Sequence, residues 1–145
     1  MPSVLAYSID CDERWRTRTA TVRGFIGSRD VVRDVFVNDT GRWYVNGVEC
    51  PAVEGAADLD LEFSPATNLL PVRRLELAIG DQAAVHAAWL RFPTLTMEPL
   101  VQRYHRMEQR RYRYESARSH FACDLTVDVA GFVTDYGDIW TVESG

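Results

Sequence analysis

Along most of this chain, apolar and polar side chains alternate with a period of two, in short runs divided by turn residues. Successive side chains of a strand point to opposite faces, so such runs specify strands with one buried face. Val4 to Ile9 reads as an opening strand and Trp15 to Val22 as a second, with Cys11-Asp12-Glu13 as the turn between them. On the second, Trp15, Thr17, Thr19 and Thr21 share one face. Gly24 and Gly27 loosen the chain before a strand carrying Val31, Arg33, Val35 and Val37 on one side. Asn38-Asp39-Thr40-Gly41 is a turn, Trp43 to Val45 a short strand, and Asn46-Gly47 suits a tight type I′ hairpin.

Asp58 to Phe63 alternates cleanly, with Leu59, Leu61 and Phe63 opposed to Asp58, Asp60 and Glu62. Ser64-Pro65 is a helix-start signal, and Pro71 is expected to limit that helix to about one turn. Val72 to Ile79 then reads as a strand. Residues 83–92 admit a helix by alanine propensity or a strand by alternation; the lack of a helical apolar stripe favours the strand. Leu100 to Glu115 predicts two long strands or one bent strand. Phe121, Cys123, Leu125, Val127 and Val129 form one face of a further strand. Ala130-Gly131 turns the chain into Phe132 to Tyr136, and Ile139 to Val142 follows. Roughly ten short strands result. They predict a mainly β domain, an antiparallel sheet rolled into a barrel or roll with one short helical turn. Leu59, Leu61, Phe63, Phe121, Leu125 and Val127 are the expected core, and Cys123 joins them.

A length of 145 residues suits one domain, over residues 1–145. The net charge of −5 disfavours a general DNA or RNA binder. All sixteen basic residues are arginine, and six of them fall between Arg103 and Arg118. Three cysteines in no metal or disulfide spacing suggest reduced thiols and a cytoplasmic protein. No stretch approaches the length of a membrane span. His86, His105 and His120 match no ligand spacing, so no metal and no cofactor is expected. Gly24-Phe25-Ile26-Gly27-Ser28 does not make a nucleotide loop.

Two groups of residues could carry function. Asn68, Arg73 and Arg74, near the short helical turn, concentrate donors able to hold a polar head group. Trp89, Arg91, Arg103, Tyr112 and Tyr114 mix arginine with aromatic rings, which suits sugar or lipid head groups and equally suits ordinary cross-strand pairing. The acidic face of Asp58, Asp60 and Glu62 reads first as a solvated strand face. It reads second as ion-pair partners for Arg73 or Arg74, with Asp60 and Arg74 the expected couple. Its third reading is the carboxylate set of a hydrolase or isomerase.

The run from Asp58 through Asn68 to Leu75 resembles the signature segment of the putative glycolipid-binding family. Cys11 to Arg18, Ala88 to Pro93, Arg110 to Ser116, and Gly131 to Tyr136 with Ile139-Trp140 carry the same resemblance. It implies a bacterial protein that binds a lipid-like or glycolipid-like ligand without catalysis, in a groove with Arg73 or Arg74, Trp89, Arg91 and Tyr112 near its mouth. It supplies no agreed catalytic residue. Relatives are expected to carry extra N-terminal strands. Their lack here would open a sheet edge to a homodimer or another partner, the alternative reading of a structural or interaction module.

Overall fold

The computed structural model describes residues 2–116, 121–128, 133–136 and 140–141. Its strands form two sheets. The first is an antiparallel meander of β1 (Ser3–Cys11), β2 (Thr17–Ile26), β3 (Arg29–Val37), β4 (Trp43–Val45) and β5 (Val48–Glu49). The second contains β6 (Asp58–Leu61), β7 (Gln82–Leu90), β8 (Met97–Glu108), β9 (Arg111–Ser116), β10 (Phe121–Val127), β11 (Val133–Tyr136) and β12 (Trp140–Thr141), neighbours in that order. This sheet curls into a half-barrel. The mainly β expectation holds, with one refinement: β6 pairs with β7 in parallel. A parallel neighbour needs a crossover, and residues 62–81 supply it with α1 (Leu69–Leu75), the single α-helix among the described residues.

The crossover is where the sequence reading needs most correction. Ser64-Pro65 does start a helical segment, a 3-10 turn over Pro65–Asn68 that leads into α1. Pro71 does not stop it. It is the third residue of α1, in the first turn, where backbone N–H groups lack intrahelical partners and a proline removes no bond. The expected strand from Val72 to Ile79 is instead helix as far as Leu75. Glu76, in the left-handed region at φ 47°, ψ 46°, ends it.

The other differences are local. Trp15 lies outside β2, in the turn before it, with φ 62°. Gly24 does not end β2; it sits within it, paired with Leu5 and Val31. A Cβ there would come 1.9 Å from the Val4 carbonyl oxygen, so only glycine permits this approach of β1. Residues 82–90 are strand, as alternation indicated. Ala87 and Ala88 are both buried because β7 is covered on each face, and that packing overrides alanine's helical preference. The region from Leu100 to Glu115 is two strands, broken at Gln109-Arg110. Asn46-Gly47 turns as expected, with both φ angles positive. The Ala130-Gly131 turn lies outside the described residues, as do the side chains of Phe121 and Cys123.

Two apolar cores result. Ala20, Val22, Val35 and Trp43 of the meander pack on Leu59, Leu61, Ala88 and Leu90, on one face of β6 and β7. The Trp43 indole N–H is satisfied by the Ala56 carbonyl at 3.1 Å. On the opposite face of the curled sheet, Val85, Tyr104, Tyr112, Tyr114, Leu125 and Val127 pack with Val72 and Leu75 of α1. Leu59, Leu61, Leu125 and Val127 are core as expected, while Phe63 is half-buried at the rim, its ring against Tyr7 and Phe92.

Candidate functional site

The β1–β2 turn organises the surface. One carboxylate oxygen of Asp12 accepts from the backbone N–H groups of Arg14 (2.8 Å) and Arg16 (3.0 Å). The Asp12 N–H donates to the Arg16 carbonyl at 2.9 Å, and the Trp15 N–H to the Asp12 carbonyl at 3.0 Å. These bonds hold Trp15 at its positive φ, a conformation that costs a bulky L-residue about 1–2 kcal/mol. The backbone bonds also hold the Asp12 carboxyl below the usual carboxylate range, that from Arg16 foremost.

A cleft lies on each side of this turn, and Asp12 lines both. One, of about 550 Å³, runs along β1 and is walled by Tyr7, Ile9, Cys11, Trp15, Leu69 and Leu70. The other, of about 570 Å³, is polar, with Asp12, Glu13, Arg14, Arg16 and Arg18 facing the Asn38–Gly41 turn. Arg73 of α1 stacks over the Trp15 ring at 5.5 Å and so stands beside the apolar cleft. Burial raises the Cys11 thiol above its ordinary value, and the nearby Asp58, Asp12 and Asp10 carboxylates add to this, so the thiol is not activated.

Beneath α1 lies a buried polar layer. The reading of the acidic face as solvated is corrected for Asp58, covered by Arg74 of the helix, and for Asp60, covered by Gln102, while Glu62 just beyond β6 is exposed as expected. Asp58 is 1% exposed and pairs with the Arg74 guanidinium. Its second oxygen is buried without a hydrogen-bond partner among the described residues. Burial raises the Asp58 pKa, outweighing the opposing pull of Arg74. Asp60 accepts from the Gln102 amide, which also donates to the Tyr114 hydroxyl at 2.9 Å. Loss of solvent, with the charges of Asp58 and Glu62, pushes Asp60 up to about 6 despite the Gln102 and Thr67 hydrogen bonds. Neither Asp58 nor Asp60 is among the residues that line the two clefts.

The residues singled out from the sequence do not converge. Asn68 is buried and accepts from the Tyr104 hydroxyl at 2.5 Å. Arg74 is engaged with Asp58, and its expected partner Asp60 is bound elsewhere. Trp89 lies 4.8 Å beneath the Arg91 guanidinium, which also pairs with Glu98 at 3.0 Å. Arg103 is exposed and donates to Gln82 at 3.2 Å. Tyr112 and Tyr114 are buried, with Arg106 stacked over Tyr112 at 5.8 Å. None of the eight lines either cleft; Arg73 stacks on the cleft residue Trp15, and the Arg74 charge is felt by Cys11 of the same cleft. Sequence reasoning missed Tyr7, Ile9, Trp15, Leu69 and Leu70 because about sixty residues separate the two walls. The available signal was Cys11 to Arg18, where acidic and basic residues surround one tryptophan.

The fold and its clefts define a class: a curled β half-barrel braced by the helix α1, with an apolar and a polar concavity beside a hydrogen-bonded turn. The chain belongs to the family described as "Putative glycolipid-binding", whose model matches residues 1–141. It is similar to the crystal structure, at 1.80 Å resolution, of a DUF1089 family protein from Pseudomonas aeruginosa. The two share 31% identity with a TM-score of 0.91, over 98% of this chain and 78% of that one. No curated protein matches. Among the described residues, no helix is long and apolar enough to cross a membrane.

Proposed function

We propose that this protein binds a lipid-like or glycolipid-like ligand without catalysis, with the ligand's apolar portion in the cleft of Tyr7, Ile9, Trp15, Leu69 and Leu70. The observation that carries this reading is the cleft itself. Its volume of about 550 Å³ is within the usual range for small-molecule sites, and aromatic and aliphatic side chains dominate its walls. Trp15 and Tyr7 keep 38% and 39% of their surface exposed beside it, an area that an acyl chain would remove from water. The family description supports the lipid-like class of ligand.

Titration with a fluorescent fatty-acyl probe tests the reading. Saturable binding with energy transfer from tryptophan is expected. Trp15→Ala, a change at an exposed position, is expected to weaken binding by about tenfold, the order of one lost aromatic contact. A wild-type protein that binds no acyl probe saturably sinks the proposal.

A specific observation also favours a second reading, pairing with another copy of the chain. The nine-residue β1 is an edge of its sheet among the described residues, and its Val4 and the cross-strand neighbour Phe25 of β2 are both exposed. A sedimentation profile of a strict monomer at micromolar concentration removes it.

A further inference from the structure

We infer that the polar cleft across the β1–β2 turn holds the headgroup of the same ligand, and that this headgroup is an uncharged polyol such as a sugar. The inference rests on the reading of the apolar cleft as the site of the ligand's chain.

The two clefts share Asp12, and both are lined by residues of the turn 12–16. The Asp12 hydrogen bonds fix that turn, with Trp15 lining the apolar cleft and Arg14 and Arg16 lining the polar one. An amphiphile lying across the turn would place its chain against Trp15 and its headgroup among the charged residues.

The charges of the polar cleft decide the class of headgroup. Its rim carries three carboxylates, Asp12, Glu13 and Asp39, and three guanidiniums, Arg14, Arg16 and Arg18. Arg18 and Asp39 neutralise each other at 2.8 Å. The side chains of Glu13, Arg14 and Arg16 have no ion-pair or hydrogen-bond partner among the described residues. The rim therefore offers acceptor-only and donor-only groups side by side, with no net charge. A phosphate or sulfate can use the guanidiniums, but it must also face the carboxylates, and like charges in close contact are costly. A sugar hydroxyl donates and accepts at once, so neighbouring hydroxyls can use both kinds of group.

The test compares ligands with one shared alkyl chain: an alkyl glycoside, the alkyl sulfate and the alkyl alcohol, each below its micelle concentration, with a free methyl glycoside as a fourth arm. Tryptophan fluorescence or calorimetry reads binding. The wild type is expected to bind the glycoside about tenfold tighter than the alcohol or the sulfate, the order of a few directional hydrogen bonds. The double variant Glu13→Gln/Arg16→Gln leaves net charge unchanged and alters two exposed side chains. It is expected to lose the preference for the glycoside while keeping chain-driven binding, whereas Trp15→Ala weakens all three alkyl ligands alike. A sulfate bound as tightly as the glycoside overturns the inference and leaves the apolar-cleft reading standing. So does a double variant that keeps its preference. A methyl glycoside bound as tightly as the alkyl form shows a free sugar ligand and overturns the inference. Failure of all three alkyl ligands overturns both readings.

Discussion

At the scale of single residues, the side chains with most at stake are the two aspartates of β6. Asp58 is buried against Arg74, and removing one partner of a buried pair strands the other charge. Asp58→Ala is expected to cost about 3–5 kcal/mol, and its coupling to Arg74→Ala should exceed about 1 kcal/mol in a double-mutant cycle followed by urea unfolding. Asp60→Ala and Arg74→Ala should instead add to within about 0.5 kcal/mol, because they share no contact. Asp60 carries a pH signature. Its carboxyl is raised to about 6 from an ordinary 3.8, so between those values the folded state holds a proton that the unfolded chain has released. Stability from this group is thus greatest at low pH and falls as pH rises through about 6. Asp60→Asn removes the titration and keeps an acceptor for Gln102. Its stability relative to wild type should rise by about 1–3 kcal/mol between pH 4 and pH 7.5. An unchanged difference across that range would show that the carboxyl is not shifted.

At the scale of elements, α1 and β1 show how one position sets the placement of a whole segment. Thr67 accepts from the Leu61 N–H at 3.3 Å at one end of the crossover, and Arg74 meets Asp58 at the other. The helix therefore runs back along β6, which is why Arg74 reaches the start of the strand and not Asp60. The side of β6 facing Arg74 was legible from alternation; the distance the helix travels back was not, since it depends on Pro71 lying inside the first turn. β1 depends on Gly24. A methyl group there collides with the Val4 carbonyl, backbone against backbone, so neither side can yield by a rotamer change. Gly24→Ala is expected to cost more than about 2 kcal/mol, beyond the usual glycine-to-alanine backbone term. Hydrogen exchange should show the loss concentrated in β1, with β7 and β8 still protected. Uniform loss of protection would mean that β1 cannot open independently of the rest.

At the scale of the whole molecule, β6 and β7 join the two cores, because each has one face against the meander and the other against α1. Leu59 is fully buried between the sheets, and Phe63 is half-buried at the rim. Leu59→Ala is expected to cost about 2–5 kcal/mol by chemical unfolding, and Phe63→Ala to cost less than the roughly 3–5 kcal/mol of a buried phenylalanine. Equal losses would place Phe63 in the core after all.

Period-two alternation by itself determined the strands of the meander, the inward set of Leu59, Leu61, Leu125 and Val127, and the mainly β class. Each follows from the local geometry of extended chain, which puts every second side chain on one face. The resemblance carried by Asp58 to Leu75 also identified the family from the residues alone. Tertiary structure decided what covers each face. Whether Asp58 and Asp60 meet water or a helix depends on the parallel pairing of β6 with β7 and the crossover that it requires. The clefts are decided in the same way. Tyr7 and Leu70 become opposite walls because a sheet edge and a helix start, far apart in sequence, are packed together, and alternation carries no information about distance through space.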